Sequence, residues 1–263
     1  MSNQHWEYFI FDGLKSDDYG VWISGADTFG APERDVEVVE IPGRNGTLTL
    51  DNGRWKNMQI TYPCFMSGDF LEGFDAFKSA LLAKKGYLTL ADTYHPDGFR
   101  KARLVGGIKA KTGPYNRSAA FTLTFDCWPQ FFLNSGQSQI DIDTSPQTLV
   151  IPDSVILPVK PLIRVGASSP YSGKKSGVLT MTSTAGSTSI TLTDIQCKGA
   201  LDAAGNYFID CERETIYRSS EATSLMENAT IPDGFFEITE RTVSFSSTGD
   251  LFFWSVTPRW WTL

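Results

Sequence analysis

A chain of 263 residues is long enough for one large or two modest domains, each with its own core. Hydrophobic residues make up 41% and charged residues 20%, a globular rather than a disordered balance, and aromatics at 13% favour pleated sheet. The net charge of −7 argues against a whole-surface grip on nucleic acid, which needs cationic surface to displace counterions.

The opening MSNQHWEYFIFDG lacks a basic start followed by an apolar stretch, so no secretory signal is expected. His5 to Phe11 is aromatic and apolar and runs into an Asp12-Gly13 turn, and Val21-Trp22-Ile23 reads as a short strand. Val36 to Ile41 reads as a half-buried strand. In it Val36, Val38 and Ile41 alternate with Glu37 and Glu40, with one phase slip. Gly43-Arg44-Asn45-Gly46 predicts a tight two-residue turn, because Asn-Gly tolerates positive φ, and Gly43 is expected there too. Thr47-Leu48-Thr49-Leu50 alternates cleanly, so 36–50 reads as a hairpin arm with an alternating apolar face. Asp51-Asn52-Gly53 reads as a second turn, and Met58 to Phe65 as a strand interrupted at Pro63.

A helix is predicted over 69–84. Asp69 is its N-cap with Glu72 three residues on, and Phe70, Phe74, Phe77 and Leu81 share one face. Lys84 and Lys85 suit the negative end of the dipole, and Gly86 is the predicted C′ residue. Strand signals resume at Tyr87 to Leu90 and Phe99 to Ala110. They are clearest from Ala119 to Cys127, where Phe121, Leu123, Phe125 and Cys127 point one way.

The polar stretch 134–147 reads as a domain boundary, giving domains 1–134 and 135–263. From residue 148 the signals are short strands: 148–151, 162–166, 178–182, 187–195, 207–211, 214–217, 235–239 and 251–257. Gly, Pro, Ser and Asp clusters separate them, the cadence of a β-sandwich. The fold class is therefore mainly β.

Chemistry-bearing patterns are sparse. There is no apolar run of about 18 residues, so no membrane span is expected. Cys64, Cys127, Cys197 and Cys211 form no C-x-x-C and read as free, semi-buried thiols of a protein made in a reducing cytoplasm. The two histidines, His5 and His95, have no nucleophile at a motif spacing and read as exposed. Gly173-Lys174-Lys175-Ser176 lacks the first glycine of a phosphate loop and reads as an exposed basic loop. Asp141-x-Asp143 lacks the glycine and distal glutamate of a calcium loop. Asp210, Glu212 and Glu214, spaced by two, read as carboxylates on one strand face, the one lead for a hydrolase. Arg100, Lys101, Arg103, Lys109 and Lys111 form a basic cluster that reads as a solvated hairpin. No catalytic, cofactor or metal site is expected, and the chain is read as no enzyme.

Several stretches, taken in order, carry a resemblance. Phe11-Asp12-Gly13, Tyr19 to Ile23, Val38-Val39-Glu40-Ile41-Pro42-Gly43-Arg44-Asn45-Gly46 and Trp55 to Ile60 resemble the distal tail protein (Dit) family of long-tailed phages and prophages. So do Tyr207-Phe208-Ile209-Asp210-Cys211-Glu212, Ile231-Pro232-Asp233-Gly234 and Thr257-Pro258-Arg259-Trp260-Trp261. The 231–234 stretch is shorter than the family's usual pattern.

The resemblance implies a first β-sandwich domain with one helix and a projecting belt hairpin, and a galectin-like second β-sandwich. It implies a hexameric ring at the tail tip, located in the virion and made in the host bacterial cytoplasm. Its implied partners are the tail tube protein, the tape measure protein, the tail-associated fibre or lysin protein, and receptor-binding proteins. DNA would pass through the lumen without specific binding. The belt residues would be Val36, Val38, Ile41, Gly43, Arg44, Asn45, Gly46, Leu48 and Leu50. A second reading of the same residues is a carbohydrate-binding module for host cell-wall glycans, with Trp254, Trp260 and Trp261 as stacking faces.

Overall fold

The computed structural model describes residues 6–25, 27–67, 70–142, 145–169, 172–197 and 206–263. His5, the Asp69 cap and Asp143 lie outside the described residues. The chain is mainly β and divides into two compact units at Phe132/Leu133.

The first unit is built on one sheet. Its strand order is Leu14–Lys15, Phe9–Phe11, Leu88–Asp92, Gly98–Val105, Ser118–Leu133, Met58–Ser67, Val21–Ile23. Helix α1 (Phe70–Leu82) packs Phe70, Phe77 and Leu81 into the core. Phe77 meets Phe9 and Phe121, and Phe9 stacks on Tyr62 at 5.6 Å. The apolar stripe is thus the reason the segment is helical, since aromatic residues favour sheet when left to propensity. The helix stops at Leu82, so Gly86, at φ +79°, belongs to the loop beyond it rather than to a C′ cap. Lys84 leaves the helix end and bridges to Asp12 at 2.8 Å.

The strand Met58–Ser67 runs straight through Pro63. The Pro63 carbonyl accepts from Ser24 N at 2.9 Å, and its nitrogen faces the same side, where the neighbouring strand has ended at Ile23. The missing N–H is therefore tolerated.

The basic stretch does not form one face. Along Gly98–Val105, Arg100 is buried and donates to the Pro129 carbonyl at 2.9 Å, while Arg103 pairs with Asp126 at 3.0 Å on the other side.

The second unit is a sandwich of two antiparallel sheets. One is ordered Ile140–Asp141, Leu251–Thr257, Leu162–Ala167, Tyr207–Asp210, Thr215–Arg218, Ser220–Ser224. The other is ordered Gln147–Val150, Thr242–Gly249, Gly173–Thr182, Ser187–Cys197, Ala229–Thr230. Their inner faces share one core, in which Phe245 of one sheet meets Phe253 of the other edge-on at 5.2 Å.

Three expectations need correction here. Gly173-Lys174-Lys175-Ser176 is strand rather than loop, with Lys175 buried and Lys174 paired to Asp194 at 3.0 Å. Thr242–Gly249 is a full strand that its Ser/Thr content disguised, whereas 235–239 contributes a single bridge, Ile238 to Val159. Asp210, Glu212 and Glu214 share no strand face, because the strand ends at Asp210 and Glu214 sits in the following turn at φ +53°.

The four cysteines are buried and unpaired. Burial pushes the thiols of Cys64, Cys127 and Cys211 up to about 12.

Candidate functional site

The feature that stands apart from both cores is the arm. Arg34–Glu40 and Thr47–Trp55 pair only with each other, in a two-stranded sheet outside the main one. Its register fixes the faces: Val36 opposes Asp51, Glu37 Leu50, Val38 Thr49, Val39 Leu48, and Glu40 Thr47.

The structure changes three details of the sequence reading. The connection is a six-residue loop, 41–46, closed by Arg44 N donating to the Ile41 carbonyl at 3.2 Å, not a two-residue turn. Gly43 and Gly46 within it sit at φ +78° and +84°. Asp51-Asn52-Gly53 is no turn but a bulge inside one continuous strand, with Gly53 N donating to Asp51 Oδ1 at 2.8 Å. Finally, the apolar residues do not share one face. Cross-strand partners lie on the same side of a ribbon, so Val36 and Val38 fall on one side and Val39, Leu48 and Leu50 on the other. Val39 was missed because the phase slip at Val38-Val39 hides which valine joins the leucines.

The root of the arm is polar and well tied. Arg34 bonds Asp51 at 3.0 Å and lies over the Trp55 ring at 4.7 Å, and Arg54 bonds Asp35 at 2.6 Å. Arg54 holds the half-buried Asp35 carboxyl below its usual range. The tip is apolar and uncovered: Val38 is 58% exposed, Leu48 42% and Leu50 47%. A free two-stranded ribbon is marginal in water, and covering each of these side chains would contribute about 1 kcal/mol or more. A second uncovered cluster in the same unit is Trp6, Trp22 and Phe65, with ring centroids 5.5–6.0 Å apart. Trp22 belongs to the three-residue edge strand.

In the second unit, two sequence stretches meet. Asp210 accepts both arms of the Arg259 guanidinium, at 2.6 and 2.9 Å, and also the backbone amides of Glu212 and Arg213. Burial alone would raise the Asp210 carboxyl, but Arg259 and the two amides outweigh it and hold the group below the usual carboxylate range. Arg259 sits at φ +58°, a left-handed conformation that costs a non-glycine residue about 1–2 kcal/mol. Its amide donates to the Gly136 carbonyl at 2.7 Å, and Leu133 N donates to the Trp260 carbonyl at 2.9 Å. The closing Thr-Pro-Arg-Trp-Trp segment is thereby clamped onto the sandwich. A Cβ on Gly136 would run into the backbone of Trp260. Gly136→Ala is therefore expected to lower the stability of this unit by about 2 kcal/mol or more, read as a lowered midpoint in urea unfolding.

The three tryptophans part company. Trp260 is 8% exposed and closes the core, and its indole nitrogen finds no hydrogen-bond partner among the described residues. Trp261 donates from its indole to the Pro158 carbonyl at 3.1 Å. Trp254, at 37% exposure, alone presents its ring outward.

His95 is not the exposed turn residue expected. It bonds Asp92 at 2.9 Å and packs on Phe29 at 4.8 Å, beside a small cavity lined also by Tyr62, Arg100 and Phe131. Among the described residues, no three His, Cys, Asp or Glu side chains converge to hold a metal ion, and no helix is long and apolar enough to cross a membrane.

No family model and no curated protein matches the sequence. Solved structures do match. The chain superposes on the crystal structure of the Dit protein of phage SPP1, described as a paradigm of the hub adsorption apparatus in phages infecting Gram-positive bacteria. The TM-score is 0.68, with 11% identity over 95% of this chain and 98% of that one. It also matches the baseplate of phage P2 in its activated conformation with calcium, at TM-score 0.53 and 14% identity over 95% of this chain and 98% of that one. The strontium form of that baseplate gives the same TM-score and identity over 94% and 97%. The fold is therefore the one seen in the SPP1 Dit protein: two mainly β units, the second a sandwich of two antiparallel sheets.

Proposed function

We propose that this chain is a structural hub of a phage tail tip, acting by assembly rather than turnover. Copies close into a hexameric ring in the virion, joining the tail tube and tape measure proteins on one side to the fibre or lysin protein, and to receptor-binding proteins, on the other. DNA passes through the lumen, past a subunit whose net charge of −7 disfavours a tight grip on it.

The observation that carries this reading is the likeness to the SPP1 hub along nearly the whole chain. The uncovered arm supports it independently. A ring closes through heterologous contacts, in which one patch fits a different patch on the next copy. The arm, with apolar residues on both sides, is suited to be the donor, and the Trp6–Trp22–Phe65 cluster offers a receiving surface of the same chemistry.

The test is light scattering on the purified chain, alone and mixed with the tail proteins encoded beside it, followed by negative-stain imaging. Sixfold rings are expected. A monomer in both preparations, at every concentration and salt, overturns the reading.

A further inference from the structure

Arg100 is a cation that faces the core. Along Gly98–Val105 the alternation sends Gly98, Arg100 and Ala102 inward, so a guanidinium occupies a core-facing position and is only 9% exposed. It keeps its charge, since a guanidinium does not release its proton in a protein. Buried charges are ordinarily paired, because an isolated one loses its hydration without replacement. This one is not. Among the described residues it donates once, to the Pro129 carbonyl at 2.9 Å, and forms no ion pair. The Phe131 ring, 5.3 Å from it, adds a weak cation–π compensation. Burial pulls the guanidinium below its ordinary value.

A small cavity lies beside this side chain, lined by Arg100, Tyr62, Asp92 and His95 together with apolar Ile60 and Leu90. Its carboxylate is already engaged. Asp92 Oδ2 accepts from the Tyr62 hydroxyl at 2.7 Å, and Oδ1 accepts from the His95 amide and meets His95 Nδ1, both at 2.9 Å. Thr28, also on the wall, gives its hydroxyl hydrogen to the Gly25 carbonyl at 2.9 Å.

We propose that this cavity binds one monatomic anion of the halide class, held on the free N–H groups of Arg100. The wall selects the ligand. A guanidinium carries five N–H donors and no acceptor, so the groups left unused here are donors. The space admits about one water-sized species, which excludes phosphate, sulfate and carboxylates. A water molecule fits by size, but it leaves the cation unneutralised and brings two hydrogens to a carboxylate whose oxygens are taken. A metal cation would meet Arg100 at close range. A halide brings a negative charge and acceptor capacity in the smallest volume, and it needs no donated hydrogen to be returned, so the apolar part of the wall does not oppose it.

The site belongs to the single subunit and is independent of ring assembly. Thermal unfolding of the full chain is followed in sodium chloride and in sodium gluconate at equal ionic strength, gluconate being too large to enter. Chloride is expected to raise the midpoint above that in gluconate, with the folding equilibrium constant increased about tenfold once chloride reaches about ten times its Kd. Arg100→Met keeps the side-chain length, removes the charge and is expected to lose the chloride response. Crystals grown in sodium bromide are expected to show an anomalous peak within hydrogen-bond reach of the guanidinium. That readout uses the native chain and decides the matter if Arg100→Met fails to fold. The proposal is overturned if the midpoint follows ionic strength alone, or if a folded Arg100→Met responds to chloride as the wild type does. It is also overturned if the cavity holds an ordered water only, or if bromide occupies it with no chloride effect on melting, an adventitious ion only.

Discussion

Arg259→Ala is expected to destabilise the second unit by about 3–5 kcal/mol, because it strands a buried carboxylate that the guanidinium now grips with both arms. That is a large part of the ~5–15 kcal/mol that holds an ordinary domain together. Arg259→Gly separates two contributions. It removes the same pair but releases the left-handed strain at φ +58°, so it should be less damaging than alanine by about 1 kcal/mol. Arg259→Lys keeps the charge and loses the two-armed geometry, and should fall between wild type and alanine.

The pair also sets a direction with pH. The Asp210 carboxyl is held below its unfolded value, so its contribution is complete above that value and is lost as pH falls through the folded one. The window therefore lies below about pH 4. Asp210→Asn should be less stable than wild type at pH 7, and the gap should narrow as both are acidified. Chemical unfolding followed by near-ultraviolet circular dichroism at pH 7 and pH 3 reads both effects. A gap that stays constant, or an alanine variant as stable as wild type, would remove the clamp from the account.

Leu48→Asp with Leu50→Asp should abolish assembly while leaving the subunit's melting temperature within about 1 °C, since neither side chain touches a core. The register makes a sharper statement. Val36→Asp with Val38→Asp charges the opposite side of the same ribbon, and it too should impair assembly, because neither side of the arm is buried by its own chain. Sedimentation velocity on the three proteins decides the matter. Loss from the leucine pair alone would mean that one side faces water in the ring. Normal assembly by both double variants would sink the arm as the contact.

Much of the architecture was legible where one periodicity ruled. Phe121, Leu123, Phe125 and Cys127 alternate and are all buried, and the stripe Phe70, Phe77, Leu81 is the buried side of α1. Reading failed where a local signal has two uses. Asp51-Asn52-Gly53 has the residues of a hairpin turn, yet they serve a bulge as well, because both need a positive φ. Thr242–Gly249 buries only Val243 and Phe245 between serines and threonines, too weak an alternation to separate from a loop.

The arm's residues were visible, but their division between two sides was not, since register is a property of the pair of strands. The Asp210–Arg259 contact spans 49 positions, and each half had been noticed without any sign that they touch. The tryptophans illustrate the same limit: three side chains of one type, close in sequence, are sorted by the fold into a core plug, a backbone brace and an open ring.

The buried thiols carry a practical consequence. With all four sulfurs sealed away and three of them pushed up to about 12, the intact subunit should react only slowly with thiol-alkylating reagents at neutral pH. A single cysteine introduced at the arm tip would then be the lone handle for a dye or a crosslinker, with no native residue to remove first. Any slow labelling beyond that one site would report a subunit opening, so the same reagent serves as a gauge of contact and as a clock of breathing.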